Sequence, residues 1–319
     1  MYNYLFGPVP SRRLGMSLGV DLVPKKVCSL DCVYCEVGKT TKLSLDRKSY
    51  INSDCIKDEL KHYFDNNPAP DYITVTASGE PTLNLHLGEI IKYIKQTKPD
   101  VSVAVITNGT LLHDEKVRDA LMHADLLLPS LDAATDDVFK KINRPADGLS
   151  VDKCIQGLIA LSNDFKGIIW LEIFILPGYN DSEHELNELK KIILKINPDS
   201  VQLNTLDRPG TVPNLRGASK DELQKVVDFW QIENVEIIAK PKQNGKAQSY
   251  RKDKESAIIE TISRRPCTHE DLIEILGLNS NEIDECLEVL NADGKIEKVE
   301  EERGAFYQLK DKNGNKPLL

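Results

Sequence analysis

The chain has 319 residues, enough for one large domain and a smaller one, since compact domains run about 100 to 200 residues. Hydrophobic residues at 40% and charged residues at 29% exclude collagen-like, disordered and membrane-embedded chains. The 41 basic and 50 acidic side chains leave a net charge of -9, which argues against binding nucleic acid by charge alone.

The charge is unevenly spread. Residues 1–50 carry eight basic side chains (Arg12, Arg13, Lys25, Lys26, Lys39, Lys42, Arg47, Lys48) against four acidic ones, and every later region is net acidic. The opening MYNYLFGPVPSRR lacks the basic-then-apolar order of a secretory signal. The longest apolar stretch, Ile168 to Leu176, is interrupted by Glu172 and is too short to span a bilayer. A cytoplasmic location with no membrane partner is expected, where the seven cysteines serve as core thiols, metal ligands or nucleophiles.

In chain order, strands are expected at 16–23, 72–77, 101–106, 125–131, 167–176 and 199–206, from their short β-branched runs. Amphipathic helices fill the gaps at 53–66, 84–96, 114–123, 151–161, 182–195 and 219–230. Six βα units with nearly continuous apolar strands predict an α/β fold, a partial or complete barrel with its chemistry at the C-terminal strand ends. An open doubly wound sheet is the alternative. The polar stretch PKQNGKAQSY (241–250) reads as a linker between a domain over 1–240 and one over 251–319. The second domain shows three short helices (254–264, 268–276, 280–292) and a hairpin over 295–309 turning at Arg303-Gly304, a winged-helix order.

Directly after the first expected strand comes CSLDCVYC, which sets Cys28, Cys32 and Cys35 in a C-x3-C-x2-C arrangement. Three thiolates on one short loop can each bind a different iron of a cubane, leaving the fourth iron open. Zinc is the competing reading, but a closed zinc site takes four ligands, usually in separated pairs, and no His or fourth Cys lies near this loop. The bland reading, chance clustering of core thiols, fits poorly with three of the seven cysteines falling in eight residues beside a basic loop. Cys55, Cys154, Cys267 and Cys286 are scattered through or directly beside the expected helices and read as core thiols.

With this motif the chain resembles the radical S-adenosylmethionine superfamily over roughly residues 5 to 240. The resemblance implies a partial (β/α)6 barrel, a [4Fe-4S] cluster on Cys28, Cys32 and Cys35, and S-adenosylmethionine bound at the open iron through its amino and carboxylate groups. It further implies reductive cleavage to a 5'-deoxyadenosyl radical, which abstracts hydrogen from a substrate, and an external electron donor of flavodoxin or ferredoxin type. Tyr34 stands where the family has an aromatic residue near the adenine; its plain alternative is an ordinary loop aromatic. Ser78-Gly79-Glu80-Pro81 looks like the family's glycine-glycine-glutamate element, with Ser78 in place of the first glycine and Glu80 offering an acceptor to an ammonium group. By itself that stretch is just a turn.

Asn108, in Thr107-Asn108-Gly109, and Ser130 and Asp132 resemble the family's positions for the ribose and the methionyl carboxylate, with Arg144 as a carboxylate partner. Their plain alternatives are a turn for Asn108-Gly109, a helix cap for Asp132 and a solvated surface charge for Arg144. The opening FGPVPSRRLGMSLGVDLVP resembles the N-terminal signature of radical proteins related to the tRNA wyosine synthases, yet no cysteine precedes Cys28, so the second cluster of the archaeal type is lacking. Arg12 and Arg13 there are candidates to hold a phosphate or carboxylate.

Two further motifs are set aside. Gly38-Lys39-Thr40 mimics the end of a phosphate loop, but the position of its leading glycine is Val33. The third C-terminal helix carries Glu282, Asp284, Glu285 and Glu288 with no Lys or Arg, so DNA is an unfavourable partner. The expected function is a radical enzyme acting on a tRNA nucleoside. The alternatives are one acting on a small metabolite or a protein, and a non-enzymatic iron–sulfur sensor whose winged helix binds DNA.

Overall fold

The computed structural model describes residues 2–76, 78–208, 210–238, 254–301 and 304–310. The expected linker at 241–250 and Arg303 of the expected hairpin turn lie outside the described residues. The chain begins with strands β1 (Leu5–Ser11) and β2 (Gly15–Asp21), followed by two-residue strands β3 (Val27–Cys28) and β4 (Lys42–Leu43). Then come α1 (Ser53–Asn66), β5 (Tyr72–Thr76), α2 (Leu87–Thr97), β6 (Ser102–Thr107), α3 (Glu115–Leu121) and β7 (Leu126–Pro129). The series continues with α4 (Asp136–Ile142), α5 (Val151–Asp164), β8 (Ile168–Phe174), α6 (Glu183–Ile196), β9 (Ser200–Asn204), α7 (Lys220–Trp230) and β10 (Val235–Ile237).

These strands form one eight-stranded sheet in the order β1-β2-β5-β6-β7-β8-β9-β10. Every neighbouring pair from β2 to β10 is parallel, and a helix lies in each crossover. A doubly wound sheet reverses its strand order at a switch point. Here the order never reverses, so the sheet winds one way into the expected partial barrel. Both faces of the strands are covered, which explains the lack of alternation: Val103 and Val105 of β6 pack among the helices, while Ala104 joins Leu14, Leu126 and Leu128 in a small inner cluster.

Two strands of this sheet escaped the sequence reading, as did the two-residue strands β3 and β4. β1 pairs antiparallel with β2, from Leu5 opposite Val20 to Ser11 opposite Gly15, with a register shift between Phe6 and Val9. Its two prolines argue against a central strand but are compatible with an edge. Gly19 makes the pairing possible, because a Cβ there would stand 1.8 Å from the Phe6 ring. β10 has only three residues and no periodicity to read. The helix starts, by contrast, carry their chemistry openly: the Ser219 side chain and Glu222 cap α7 reciprocally, and Asn52 caps α1 through the Asp54 N–H.

The C-terminal residues fold as α8 (Lys254–Arg264), β11 (Cys267–Thr268), α9 (His269–Leu276), α10 (Ser280–Ala292), β12 (Ile296–Glu301) and β13 (Gly304–Leu309). The three strands pair in the order β11-β13-β12 around a second core that includes Ile258, Leu272, Ile283, Leu287 and Leu290. This unit packs α8 and α9 against β1, and Val9, partly buried, packs against its core. Cys154 and Cys267 are buried, but Cys55 is exposed and corrects its reading as a core thiol: α1 buries Ser53, Ile56, Leu60, Tyr63 and Phe64, and Cys55 lies off that face. Among the described residues no helix is long and apolar enough to cross a membrane.

Candidate functional site

Between β2 and α1 the chain makes a long loop at the C-terminal edge of the sheet, and backbone hydrogen bonds tie it to three other parts of the chain. Lys26 N–H donates to the Ser78 carbonyl (2.5 Å) and Glu80 N–H to the Val27 carbonyl (3.0 Å), which joins the loop to the end of β5. Asp31 N–H donates to the Asn143 carbonyl and Val33 N–H to the Ile142 carbonyl, which joins it to the end of α4. Thr211 N–H donates to the Val33 carbonyl from the segment after β9. Cys28, Cys32 and Cys35 are carried on this stitched loop.

Each of the three sulfurs faces N–H donors. Cys28 Sγ accepts from Leu30 N–H and from Asn108 Nδ2, both at 3.5 Å, Cys32 Sγ accepts from Asn143 Nδ2 at 3.4 Å, and Cys35 Sγ accepts from the Lys26 ammonium at 3.0 Å. Donors aimed at sulfur suit anionic cluster ligands. Burial pushes the Cys28 thiol up to about 12 and the Cys32 thiol well up, with Glu80 and Asp132 respectively adding to it. As free groups these thiols stay neutral, and a bound metal would displace their protons. Among the described residues no three Cys, His, Asp or Glu side chains converge on a point that could hold one metal ion, whereas cubane ligands each take a separate iron.

Beside the loop lies a cavity whose lining includes Tyr34, Asn108, Ser130, Asp132, Asn143 and Cys154. Four candidate residues from distant parts of the sequence thus meet in one place. Tyr34 stacks on Phe174 with ring centroids 3.9 Å apart and an interplanar angle of 10°, and its hydroxyl donates to Asp132. Asp132 also accepts from Asn143 Nδ2 (2.8 Å) and Phe174 N–H (3.0 Å). Burial pushes its carboxyl up to about 6 in spite of these donors. The Asn143 Oδ1 atom is buried and has no hydrogen-bond partner among the described residues, an unmet acceptor that a hydroxyl or amino donor of a bound molecule would satisfy.

Ser78, Gly79, Glu80 and Arg144 are not among the lining residues. Ser78 and Gly79 hold the loop: Ser78 N–H donates to Asp21 Oδ1, and a Cβ on Gly79 would stand 2.0 Å from the Val27 carbonyl oxygen. The Glu80 side chain, 1% exposed, accepts from Thr82 N–H, Thr82 Oγ1, Thr107 Oγ1 and Asn108 N–H. With four protein donors on it, this carboxylate ties the end of β5 to the end of β6. Replacing it by alanine is expected to cost about 3 kcal/mol or more, since hydrogen bonds to charged groups contribute ~1.5 to 3 kcal/mol each. Urea unfolding of cluster-free protein checks this, and an unchanged transition would show that Glu80 does not hold the strand ends together.

Arg144 is exposed with φ +47°, and its backbone, through the carbonyl that accepts from Asp31 N–H (3.2 Å), is what meets the loop. The residue that reaches the cavity is its neighbour Asn143. Lys26, Asn143 and Phe174 were missed in the sequence, where only the nearness of Asn143 to Arg144 and Pro145 marked one of them. Arg13 donates to Glu172 and to Gln202 (3.0 Å) inside the barrel, so its carboxylate partner comes from its own chain, while Arg12 is half-buried. Arg208, also missed, sits buried between Glu36 (3.3 Å) and Asp271 of α9 (3.4 Å), linking the residue after Cys35 to the C-terminal unit.

A family model of the Radical SAM superfamily matches residues 22–189, more than half of the chain. A UPF0026 protein of Methanocaldococcus jannaschii is 31% identical over 98% of this chain and 99% of its own length. A Brachyspira hyodysenteriae protein named GTPase Obg is 39% identical over 92% of this chain, which spans only 43% of that relative. The crystal structure of a radical SAM methyltransferase from Sphaerobacter thermophilus has a similar fold, with a TM-score of 0.52 at 14% identity, covering 69% of this chain and 66% of that one. The cysteine loop, the sheet wound in chain order and the span of the family match agree, and the chain belongs to the Radical SAM superfamily.

Proposed function

We propose that this protein is a radical S-adenosylmethionine enzyme, with a [4Fe-4S] cluster on Cys28, Cys32 and Cys35 and S-adenosylmethionine in the adjoining cavity. The observation that carries the reading is that two asparagines belong to both places: Asn108 and Asn143 line the cavity and also donate to Cys28 and Cys32. When bound, the cluster supplies the electron that cleaves the sulfonium reductively and yields a 5'-deoxyadenosyl radical. Tyr34, Asn108, Ser130 and Asp132 hold and orient the cofactor, Asn143 Oδ1 takes one of its donors, and Gly79 and Glu80 position the loop. Arg144, with its exposed side chain, is proposed only as a partner for the carboxylate on movement of that side chain.

Anaerobically reconstituted protein, reduced with dithionite, is expected to convert S-adenosylmethionine to 5'-deoxyadenosine and methionine, followed by liquid chromatography. Protein that carries a full complement of iron and forms no 5'-deoxyadenosine would overturn the reading. In the cell the electron comes from a donor of flavodoxin or ferredoxin type.

For the substrate we favour a tRNA nucleoside. Supporting this, Lys39, Lys42 and Lys48 are exposed around the cysteine loop, and the ammonium groups of Lys42 and Lys48 lie 5.8 and 5.1 Å from the Tyr50 ring centre. Such a basic, aromatic patch suits a phosphate backbone. The C-terminal unit is read as a winged-helix module that positions the partner, and the acidic face of α10 makes duplex DNA an unfavourable ligand. Nucleosides from cells lacking the protein, compared by mass spectrometry with wild type, test the assignment; an unchanged nucleoside profile turns it toward a small metabolite or a protein.

A further inference from the structure

Next to the exposed Lys25, whose ammonium reaches the Ser263 carbonyl (2.8 Å), Lys26 points the other way and is 4% exposed. Its φ of +61° is a left-handed conformation that a long side chain rarely adopts. The backbone is held there by the bond from its N–H to the Ser78 carbonyl and by the Thr41 and Lys42 N–H groups, both 3.1 Å from its own carbonyl. The direction of the side chain is therefore set by the loop.

An ammonium has three donors and needs a nearby anion when taken out of water, because an unpaired buried charge costs several kcal/mol. Among the described residues the Lys26 ammonium has one hydrogen bond, to Cys35 Sγ at 3.0 Å, and no carboxylate within ion-pair distance. Buried lysines are normally paired with Asp or Glu. Here the pairing atom is the sulfur of a proposed cluster ligand.

We propose that Lys26 is the cationic partner of the iron–sulfur centre, donating to the Cys35 sulfur and making the centre easier to reduce; this rests on the reading of the three cysteines given above. One electron from a low-potential flavodoxin- or ferredoxin-type donor adds one negative charge to the centre, with no bond made or broken in that step. A fixed positive charge on a ligand sulfur stabilises the added charge, since hydrogen bonds to the sulfurs and local charge set cluster potentials. Lys26 is thus a positioning and tuning residue, acting on the centre through Cys35.

The test is an anaerobic redox titration of the reconstituted full chain, followed by electron paramagnetic resonance, with iron content measured on each sample. Lys26→Met keeps the stem and removes the charge. At a fixed poise its ratio of reduced to oxidised centre is expected to fall at least tenfold, a downward shift of about 59 mV for one electron. Lys26→Arg keeps the charge and is expected to stay near wild type. Lys26→Met with full iron and an unchanged or higher potential overturns the proposal.

If Lys26→Met fails to hold iron, Lys26→Gln replaces it as the neutral variant under the same expectation. Loss of iron in both neutral variants, with iron and potential kept in Lys26→Arg, also supports the role of the charge. Loss in all three overturns it, because shape and not charge would then be what the position requires. Wild-type protein that takes up no four-iron centre overturns the reading of the cysteines themselves, a result separate from any that concerns Lys26 alone.

Discussion

Replacing any one of Cys28, Cys32 and Cys35 by alanine is expected to abolish assembly of the four-iron centre, lowering iron and sulfide in anaerobically reconstituted protein to background. Each substitution removes the protein ligand of one iron, and the fourth iron has none to spare. Cys32→Ala has a second consequence, since Asn143 Nδ2 loses one of its two acceptors and keeps only Asp132. Cys154→Ala is the control. That thiol is buried and lines the same cavity, and burial pushes it up to about 12, yet it is carried by α5 and not by the loop. Its loss is expected to leave iron binding intact. A Cys32→Ala protein with full iron and sulfide would sink the cluster assignment, and loss of iron in Cys154→Ala would bring a fourth thiol into it.

Gly79→Ala is expected to lower the rate of 5'-deoxyadenosine formation on the order of a hundredfold, because misplacing a reacting group by about 1 Å can cost that much. The new methyl carbon would stand 2.0 Å from the Val27 carbonyl oxygen and 2.9 Å from its carbon, both backbone atoms that no rotamer change can move. Relief requires shifting β3, and with it Cys28, away from the end of β5. The bond from Glu80 N–H to that same carbonyl is lost in the shift. Iron content and rate measured together distinguish a displaced loop, which keeps iron and cleaves slowly, from a collapsed one, which holds none. A wild-type rate in Gly79→Ala would mean that the strand end yields freely and that its close approach to Val27 has no role in placing the cysteines.

How far the fold and site were legible in the sequence depends on the range of the interaction involved. The six parallel strands from β2 to β9 and their principal helices were readable because burial on both faces writes a run of apolar residues, and a capped helix start writes a Ser or Asn with a Glu three residues on. The three cysteines were readable for the same reason: a loop that wraps one centre must carry its ligands close together. β1 was not, since its prolines are tolerable only at an edge, and what makes it an edge is the packing of β2 on one side and of α8 and α9 on it.

Tertiary structure alone decided which polar side chain performs which task. Asn108 meets Cys28 across 80 positions and Asn143 meets Cys32 across 111, distances over which periodicity carries no information. It also decided between neighbours of similar chemistry. In Asn143-Arg144 the inward residue is the asparagine, and in Lys25-Lys26 the second lysine is buried against Cys35 while the first faces outward to Ser263. Glu80 shows the same division. The sequence by itself placed a carboxylate at the end of a strand, but only the folded chain set four donors around it, because those donors come from two different strand ends that the sheet brings side by side.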